Sequence, residues 1–214
     1  WSDMFFKLAT GGQYYAQNAQ INESVREKIP ANVELVYWDY YSTDKARYDG
    51  MIEAHQKLKP GTWFAGGLWK WTGYAPHNGY SVHITKAALA SCREHGVQDV
   101  FLTMWGDDGG ECSPFTLLPS LFYASELAKG ETDDKTIKTH FAERFGVSFD
   151  DFMQLDLPGT HNGLADNVRN PDKFLLYNDP FMGMMDRTVL PGEGAQFGAC
   201  AERLEALETL PEWG

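Results

Sequence analysis

Four tryptophan-bearing segments, each at the end of an apolar, strand-like run, divide the first half of the chain at nearly regular intervals. They begin at Trp1, Trp38, Trp69 and Trp105, and each has polar or acidic neighbours. Helix-like patterns follow the last three segments. Strands that alternate with helices in this way predict a parallel sheet with crossover helices. Parallel strands place their carboxyl ends at one edge of the sheet, so we expect the four segments to meet there.

Apolar patterns and turn residues set the expected element boundaries. Residues 1–6 have the pattern of a strand end that runs into a loop at 11–22, and further strands are predicted at 33–38, 62–68 and 100–104, the last of them buried. Ser42 or Thr43 is expected to cap the first crossover helix. Its apolar stripe comprises Tyr48, Met51, Ile52, His55 and Leu58. In that stripe His55 is interpreted as structural.

Two further helices follow in the same pattern. A solvated loop at 73–80, with His77 and Asn78, is predicted to precede a helix that ends at Gly96. Ser113 and Pro114 stand in the preferred order for a helix start. The apolar residues expected to be buried by that helix are Phe115, Leu118, Leu121 and Phe122.

Four such units amount to half of an eightfold barrel. A half barrel alone would leave two sheet edges and much apolar surface uncovered. We therefore predict an α/β fold, half of a (β/α)8 TIM barrel at residues 1–130, whose other half lies in the same polypeptide or in a partner chain. Residues 131–214 predict a mainly helical C-terminal domain, with helix caps at Thr132 and Ser148, a helix end at Gly146 and a last helix at 200–210.

Charge and cysteine content limit the classes of partner. A net charge of −12 without a basic stripe argues against nucleic acid and anionic membranes, and no apolar run approaches membrane-spanning length. The cysteines Cys92, Cys112 and Cys200 are few, odd in number and far apart, so we expect neither a disulfide framework nor a metal site, and a cytoplasmic setting. Because Trp1 already lies in a strand end, we expect a natural N-terminus upstream of it.

The tryptophan-bearing segments suggest sugar recognition. An indole offers an apolar face to the C–H side of a pyranose, and carboxylates accept hydrogen bonds from its hydroxyls. A single tryptophan at a strand end is usually a core residue, but four successive ends with polar neighbours are harder to explain in that way. Residues 177–180 are interpreted as a turn with local capping and no chemistry. Asp108 and Glu111 are weaker candidates for contact with a sugar.

Three of these motifs, with two further segments, resemble the family 20 glycoside hydrolases, the β-N-acetylhexosaminidases. The motifs are Trp1-Ser2-Asp3, the strand 33–38 that ends in Trp38, and Trp105-Gly106-Asp107, together with FAGGLWKWTG and LLYNDP. The resemblance is closest to the intracellular-type bacterial members with a helical C-terminal domain. It implies that residues 1–130 are the second half of the barrel, about strands 5–8.

The resemblance also implies roles for individual residues. Trp1, Trp38 and Trp105 match three tryptophans that wall the pocket for the sugar's N-acetyl group. Asp107 stands where the family usually has the glutamate that holds the O4 and O6 hydroxyls. The family's acetamido-binding tyrosine is absent from the Leu68–Trp71 segment, so Tyr40 is the substitute candidate. Trp69 and Trp71 complete the predicted substrate-binding set.

No residue of this chain matches the family's catalytic Asp–Glu pair, which precedes the motif at Trp1. The resemblance implies that the glutamate protonates the leaving oxygen while the substrate's own acetamido oxygen attacks C1, a substrate-assisted retaining route. We thus expect no catalytic residue, cofactor or metal here, an N-acetyl-hexosaminide substrate, and the N-terminal half of the same barrel as partner.

Two other functions are compatible with the residues. One is a non-catalytic carbohydrate-binding protein built on a barrel remnant. The other is a barrel glycosidase of a different family, in which Asp107, Asp108 or Glu111 acts directly.

Overall fold

The computed structural model describes residues 1–12, 21, 23–107, 110–160, 171–179, 181–183 and 191–207. The predicted loop at 11–22 therefore falls mostly outside the described residues, as do Asp108 and residues 208–214. The chain divides into two compact units. The first comprises residues 1–67 and 83–103, and the second comprises residues 68–82 and 104–214.

The first unit is built on a parallel sheet. Its strands β1 (Val36–Trp38), β2 (Trp63–Gly67) and β3 (Val100–Thr103) are ordered β1-β2-β3, and both pairings are parallel. The helices are α1 (Asp3–Ala9), α2 (Glu23–Arg26), α3 (Lys45–Leu58) and α4 (Asn78–Glu94), of which the last begins in the second unit. The α/β class and the parallel pairing of these sequential strands are confirmed, and each strand is shorter than its apolar pattern.

One face of this sheet carries the core of the unit. Side chains alternate between the faces of a strand, so Tyr37 and Phe64, which are paired across β1 and β2, share a face. Both belong to the buried core, with residues from α1, α3 and α4. The predicted α3 stripe is confirmed, since all five of its members are buried. The predicted cap is wrong: the side chain of Asp44, and not that of Ser42 or Thr43, accepts from the backbone N–H of Ala46.

Two predictions for the first unit are corrected by tertiary contacts. Residues 3–9 form a helix instead of a strand end, and Ser2 contacts the edge of β1, where its backbone N–H donates to the Val36 carbonyl at 3.0 Å. Strand β3 is not buried, because Phe101 remains 36% exposed. Within the described residues β3 pairs with one strand, β2, so no strand covers its other edge. The apolar run predicts a strand buried on both sides.

The second unit is mainly helical. Its helices are α5 (Leu118–Lys129), α6 (Asp134–Phe145), α7 (Phe149–Phe152), α8 (Leu157–Thr160), α9 (Pro171–Tyr177) and α10 (Glu193–Glu205), with 3₁₀ turns at Pro114–Leu117 and Met153–Asp156. Phe141 is fully buried, and its ring contacts the rings of Phe122, Phe145, Phe149 and Phe152. The last helix begins and ends earlier than the predicted 200–210.

Local helix signals in this unit are largely confirmed. Ser113 caps the 3₁₀ turn, Ser148 caps α7 by accepting from the Asp151 N–H, and Gly146 ends α6 in the left-handed conformation. The cap of α6 is Asp133, and not the predicted Thr132. The predicted apolar face at 115–122 is wrong in phase, since Phe115 and Leu121 are exposed. A 3₁₀ turn has three residues per turn and shifts the phase of the α-helix that follows it.

The start of α4 is held by a distant carboxylate. Asp156 is buried and accepts from the Gly79 N–H at 2.7 Å and from Asn78 Nδ2 at 2.9 Å, while Asn78 Nδ2 also donates to the Thr116 carbonyl at 2.9 Å. His77 and Asn78 are buried, as are Gly73, Ala75, Pro76 and Tyr80, so the prediction of a solvated loop at 73–80 is wrong for most of that segment.

The ionisation of Asp156 is expected to make the stability of the chain depend on pH. Burial raises the pKa of this carboxyl from 3.8 to about 6, against the opposing effect of the Gly79 and Asn78 hydrogen bonds. The folded chain thus holds the proton more tightly than the unfolded chain. The contribution is complete below pH 3.8, and about 3 kcal/mol is lost as the pH rises through 6. Urea unfolding of the wild type and Asp156→Asn at pH 4 and pH 7 measures this, and equal pH dependence in both would contradict it.

Candidate functional site

An aromatic surface lies on the face of the sheet opposite the core. Trp38, Ala65 and Phe101 are paired in one row across the three strands, so their side chains share this face. The Trp1 ring lies 5.7 Å from the Trp38 ring and 6.1 Å from the Phe101 ring, stacked on both. Because the small side chain of Ala65 stands between the two larger ones, the row has space for the Trp1 indole. We call Trp1, Trp38 and Phe101 the aromatic row.

The aromatic row is open to solvent. Trp1 is 50% exposed, Phe101 is 36% exposed and Trp38 is half-buried. Tyr40 is buried and packs edge-on against Trp38, with ring centroids 5.0 Å apart, so it supports the indole from the side. Two of the three predicted pocket walls, Trp1 and Trp38, are thus brought together. Phe101 joins them, although its sequence pattern indicated only a strand interior.

The turn after β1 is organised by Asp39. Its Oδ1 accepts from the Tyr41 and Ser42 backbone N–H groups at 2.9 and 3.1 Å. Its Oδ2 accepts from the Tyr37 hydroxyl at 2.9 Å and the Ser42 hydroxyl at 2.6 Å. The carboxylate is fully buried. Asp39 therefore shapes the loop that carries Trp38 and Tyr40, and both of its oxygens are engaged within the chain.

In the second unit, Trp69 and Trp71 are mostly buried and stack on each other with ring centroids 4.3 Å apart. Trp69 also contacts the Tyr80 ring edge-on at 5.3 Å. The Trp69 backbone is held at both ends, since its N–H donates to Ser81 Oγ and its carbonyl accepts from the His77 N–H, each at 2.8 Å. This pair shapes the 68–82 segment and leaves little indole surface for a ligand.

The turn after β3 is more open. Trp105 is 37% exposed and Asp107 is exposed, while Asp108 lies outside the described residues. The Gly110 N–H donates to the Asp107 carbonyl at 3.3 Å, and Gly110 adopts a φ of 70°, which favours glycine. A methyl group at Gly106 would lie 3.9 Å from Lys70 Nζ, so the Lys70 ammonium lies beside this turn.

Glu111 follows this turn and is ion-paired. Its Oε1 accepts from Lys173 Nζ at 2.9 Å, and this hydrogen bond holds the pKa of the Glu111 carboxyl below its usual range. Lys173 Nζ also lies 5.9 Å from the ring centroid of Tyr74 and 6.0 Å from that of Tyr177. We call Tyr74, Glu111, Lys173 and Tyr177 the tyrosine–lysine cluster. No local pattern predicts it, because Glu111 and Lys173 are 62 residues apart.

Other kinds of site have less support in the described residues. Within them, no group of His, Cys, Asp and Glu side chains is arranged to hold a metal ion. None of the helices in these ranges has both the length and the apolar character that crossing a membrane requires. The three cysteines are buried and free.

No protein-family model matches the chain, and a search of curated proteins finds no match either.

Proposed function

We propose that the chain is part of an exo-β-N-acetylhexosaminidase, which removes terminal N-acetyl-hexosamine residues by substrate-assisted retaining catalysis. In this proposal residues 1–130 are about strands 5–8 of a (β/α)8 barrel, and the N-terminal half of the same barrel supplies the Asp–Glu pair. The observation that carries the proposal is the aromatic row: Trp1 stacks on Trp38 where β1 ends, on the sheet face opposite the core, and the Trp1 indole is half exposed.

The arrangement of the sheet supports a barrel segment. Its three strands are parallel and neighbours in sequence order, and its core packs on one face. Sequential parallel strands with helices outside them are the architecture of a TIM barrel, in which sites form at the carboxyl ends. The opposite face carries exposed rings, which the absent barrel half would partly cover.

The aromatic row also supports the chemistry. Indole faces pack against the C–H faces of a pyranose and exclude water. A fixed, dry environment holds the acetamido group in an attacking geometry and strengthens the electrostatic interactions around it. The acetamido oxygen then forms a bond to C1 as the bond to the leaving oxygen breaks, and the glutamate of the other half gives that oxygen its proton. Water opens the resulting oxazolinium ring and leaves the sugar with retained configuration.

In the second unit, Trp105 and Asp107 are the exposed members of the predicted set. We propose that Trp105 contacts the acetamido group and that Asp107 accepts hydrogen bonds from ring hydroxyls. Trp69 and Trp71 are proposed to act through the shape of the 68–82 segment, because their rings are mostly buried. The role of the Tyr40 hydroxyl stays a prediction. The free cysteines support a reducing, cytoplasmic setting.

A carbohydrate-binding protein without catalytic activity is the second candidate. Asp39 lies beside the aromatic row, but its two oxygens are already engaged by four hydrogen bonds. This observation favours binding over catalysis for the chain alone. The ion pair of Glu111 with Lys173 argues against Glu111 as a general acid, since its lowered pKa keeps it ionised at neutral pH.

Hydrolysis of 4-nitrophenyl β-N-acetylglucosaminide tests the proposal. We expect the complete protein to hydrolyse it and the present chain alone to leave it intact. In the complete protein, Trp38→Ala should lower kcat/KM by roughly 100-fold, because a misplaced substrate loses its attacking geometry.

Trp63→Ala is the matched control. Trp63 lies at the start of β2 and is partly exposed, so it has the same chemistry at the opposite end of the strands. It should change kcat/KM little. Robust turnover by the present chain alone would contradict the proposal. Sugar binding by the complete protein without turnover would favour the second candidate.

A further inference from the structure

The tyrosine–lysine cluster brings aromatic and charged groups together. The Tyr74 and Tyr177 rings lie with centroids 5.9 Å apart and are tilted by 52°. The Lys173 ammonium lies within 6.0 Å of both ring centroids and is held by Glu111 at 2.9 Å. The Lys173 side chain is 14% exposed and that of Glu111 is 28% exposed, so the ion pair is partly buried and keeps some contact with solvent.

The backbone beneath the cluster is also fixed. Asp172 is buried, and its Oδ2 accepts from the backbone N–H groups of Tyr74 at 3.0 Å and Ala75 at 3.2 Å. This ties α9 to the segment that carries Tyr74. Desolvation, followed by contact with Tyr177, raises the pKa of Tyr74 to about 12. The phenol therefore remains protonated at neutral pH, its O–H is directed to Tyr177, and its oxygen can accept a hydrogen bond.

The open surface of the cluster is the Tyr177 ring, because this residue is 60% exposed. An exposed aromatic ring bordered by a carboxylate, an ammonium and a phenol is a combination that can bind a pyranose. The ring packs against the sugar's C–H face, and the polar groups bond to its hydroxyls.

The cluster borders the turn that carries Trp105 and Asp107. Glu111 follows that turn directly in sequence, and the Lys70 ammonium beside Gly106 contributes to lowering the pKa of Glu111. A sugar held at Trp105 and Asp107 would thus have the cluster next to it within the same compact unit.

We propose that the tyrosine–lysine cluster binds the second sugar ring of an oligosaccharide substrate, on the leaving-group side of the cleaved bond. This rests on the proposed function, in which Trp105 and Asp107 hold the terminal sugar. The cluster favours substrates with a second pyranose over glycosides whose leaving group lacks a ring. Tyr177 provides the stacking surface, and Glu111, Lys173 and Tyr74 contact the hydroxyls.

Two substrates and two variants of the complete protein test the proposal. The substrates are a β-1,4-linked N-acetylglucosamine disaccharide, which has a second ring, and N-acetyl-β-glucosaminyl fluoride, which has none. Tyr177→Ala should lower kcat/KM for the disaccharide by about tenfold and leave that for the fluoride unchanged. Leu176→Ala is the matched control, because Leu176 is the preceding residue of α9 and is 68% exposed. It should change neither value.

The other outcomes contradict the second-ring site alone or the proposed function as well. If Tyr177→Ala leaves disaccharide hydrolysis unchanged, or slows both substrates equally, the second-ring site is wrong while the proposed function stands. Hydrolysis of the fluoride but not of the disaccharide would also show that the second-ring site is wrong while the proposed function stands. If the wild-type protein hydrolyses neither substrate, the proposed function fails and the second-ring site fails with it.

Discussion

Replacing Asp39 with alanine is expected to lower the free energy of unfolding by about 4 kcal/mol, because it leaves several buried donors without an acceptor. The carboxylate is fully buried and accepts from two hydroxyls and two backbone N–H groups. Alanine removes the acceptor for the Tyr37 and Ser42 hydroxyls, which lie in the same interior. Urea unfolding, followed by far-ultraviolet circular dichroism, measures the change.

Asp44→Ala is the control for this substitution. Asp44 is also an aspartate that accepts from a backbone N–H, but it is exposed and caps α3 with one bond to Ala46. Its loss should cost about 1 kcal/mol, the usual value for a helix cap. Equal effects of the two substitutions would show that the Asp39 network contributes no more than a surface cap does. The fluorescence of the tryptophans reports in addition whether the loop at Trp38 and Tyr40 has moved.

Protonation of His55 is expected to destabilise the fold by about 3 kcal/mol as the pH falls from 6.5 to 4. The ring lies between Phe6 and Tyr37, with centroids 4.3 and 5.0 Å away, and Nδ1 contacts the Met51 carbonyl at 2.7 Å. Desolvation lowers the pKa of this histidine from 6.5 to about 4, so the folded chain keeps it neutral. The unfolded chain takes up the proton first. The contribution is therefore complete above pH 6.5 and is lost progressively as the pH falls through 4.

His55→Phe isolates this effect, because phenylalanine preserves the aromatic contacts and does not titrate. The free energy of unfolding of the wild type minus that of the variant should fall by about 3 kcal/mol between pH 7 and pH 4. Asp156 contributes a pH dependence of the opposite sign to the free energy of unfolding. Both chains contain Asp156, so its contribution cancels in this difference. A constant difference would mean that His55 is not held neutral by its surroundings.

Features that depend on neighbours in sequence were predictable. The apolar stripe of α3 follows from helical spacing alone, and all of its members are buried. The cap at Ser148 and the end of α6 at Gly146 follow from the local chemistry of helix termini. Three parallel strands with helices between them follow from the alternation of patterns. Each of these signals lies within a few residues of the element that it predicts.

Features that depend on distant residues were not predictable in this way. The apolar run at β3 indicates a buried strand, but burial also needs a neighbour on each side. The helix start at Asn78 is held by Asp156, which is 78 residues away and accepts a hydrogen bond from the Asn78 side-chain N–H. Asp39 follows Trp38 directly in the sequence, and its burial depends on the Tyr37 and Ser42 hydroxyls, which donate to its carboxylate in the folded chain. The turn predicted at 177–180 lies partly outside the described residues: Tyr177 is the last residue of α9, and Asp179 beyond it accepts from the Phe181 and Met182 N–H groups, which is local capping.

The tryptophans show the difference between features set by neighbours in sequence and features set by distant residues. The sequence by itself placed an indole after the predicted strands, and alternation then predicted a common edge. Only the tertiary structure decided which indoles face solvent: Trp1 and Trp105 are exposed, whereas Trp69 is buried. Position along a strand is a local property, but exposure depends on what packs against the ring from elsewhere in the chain. Stacking of Trp1 on Trp38 likewise needs the small Ala65 and the pairing of β1 with β2, which no local pattern contains.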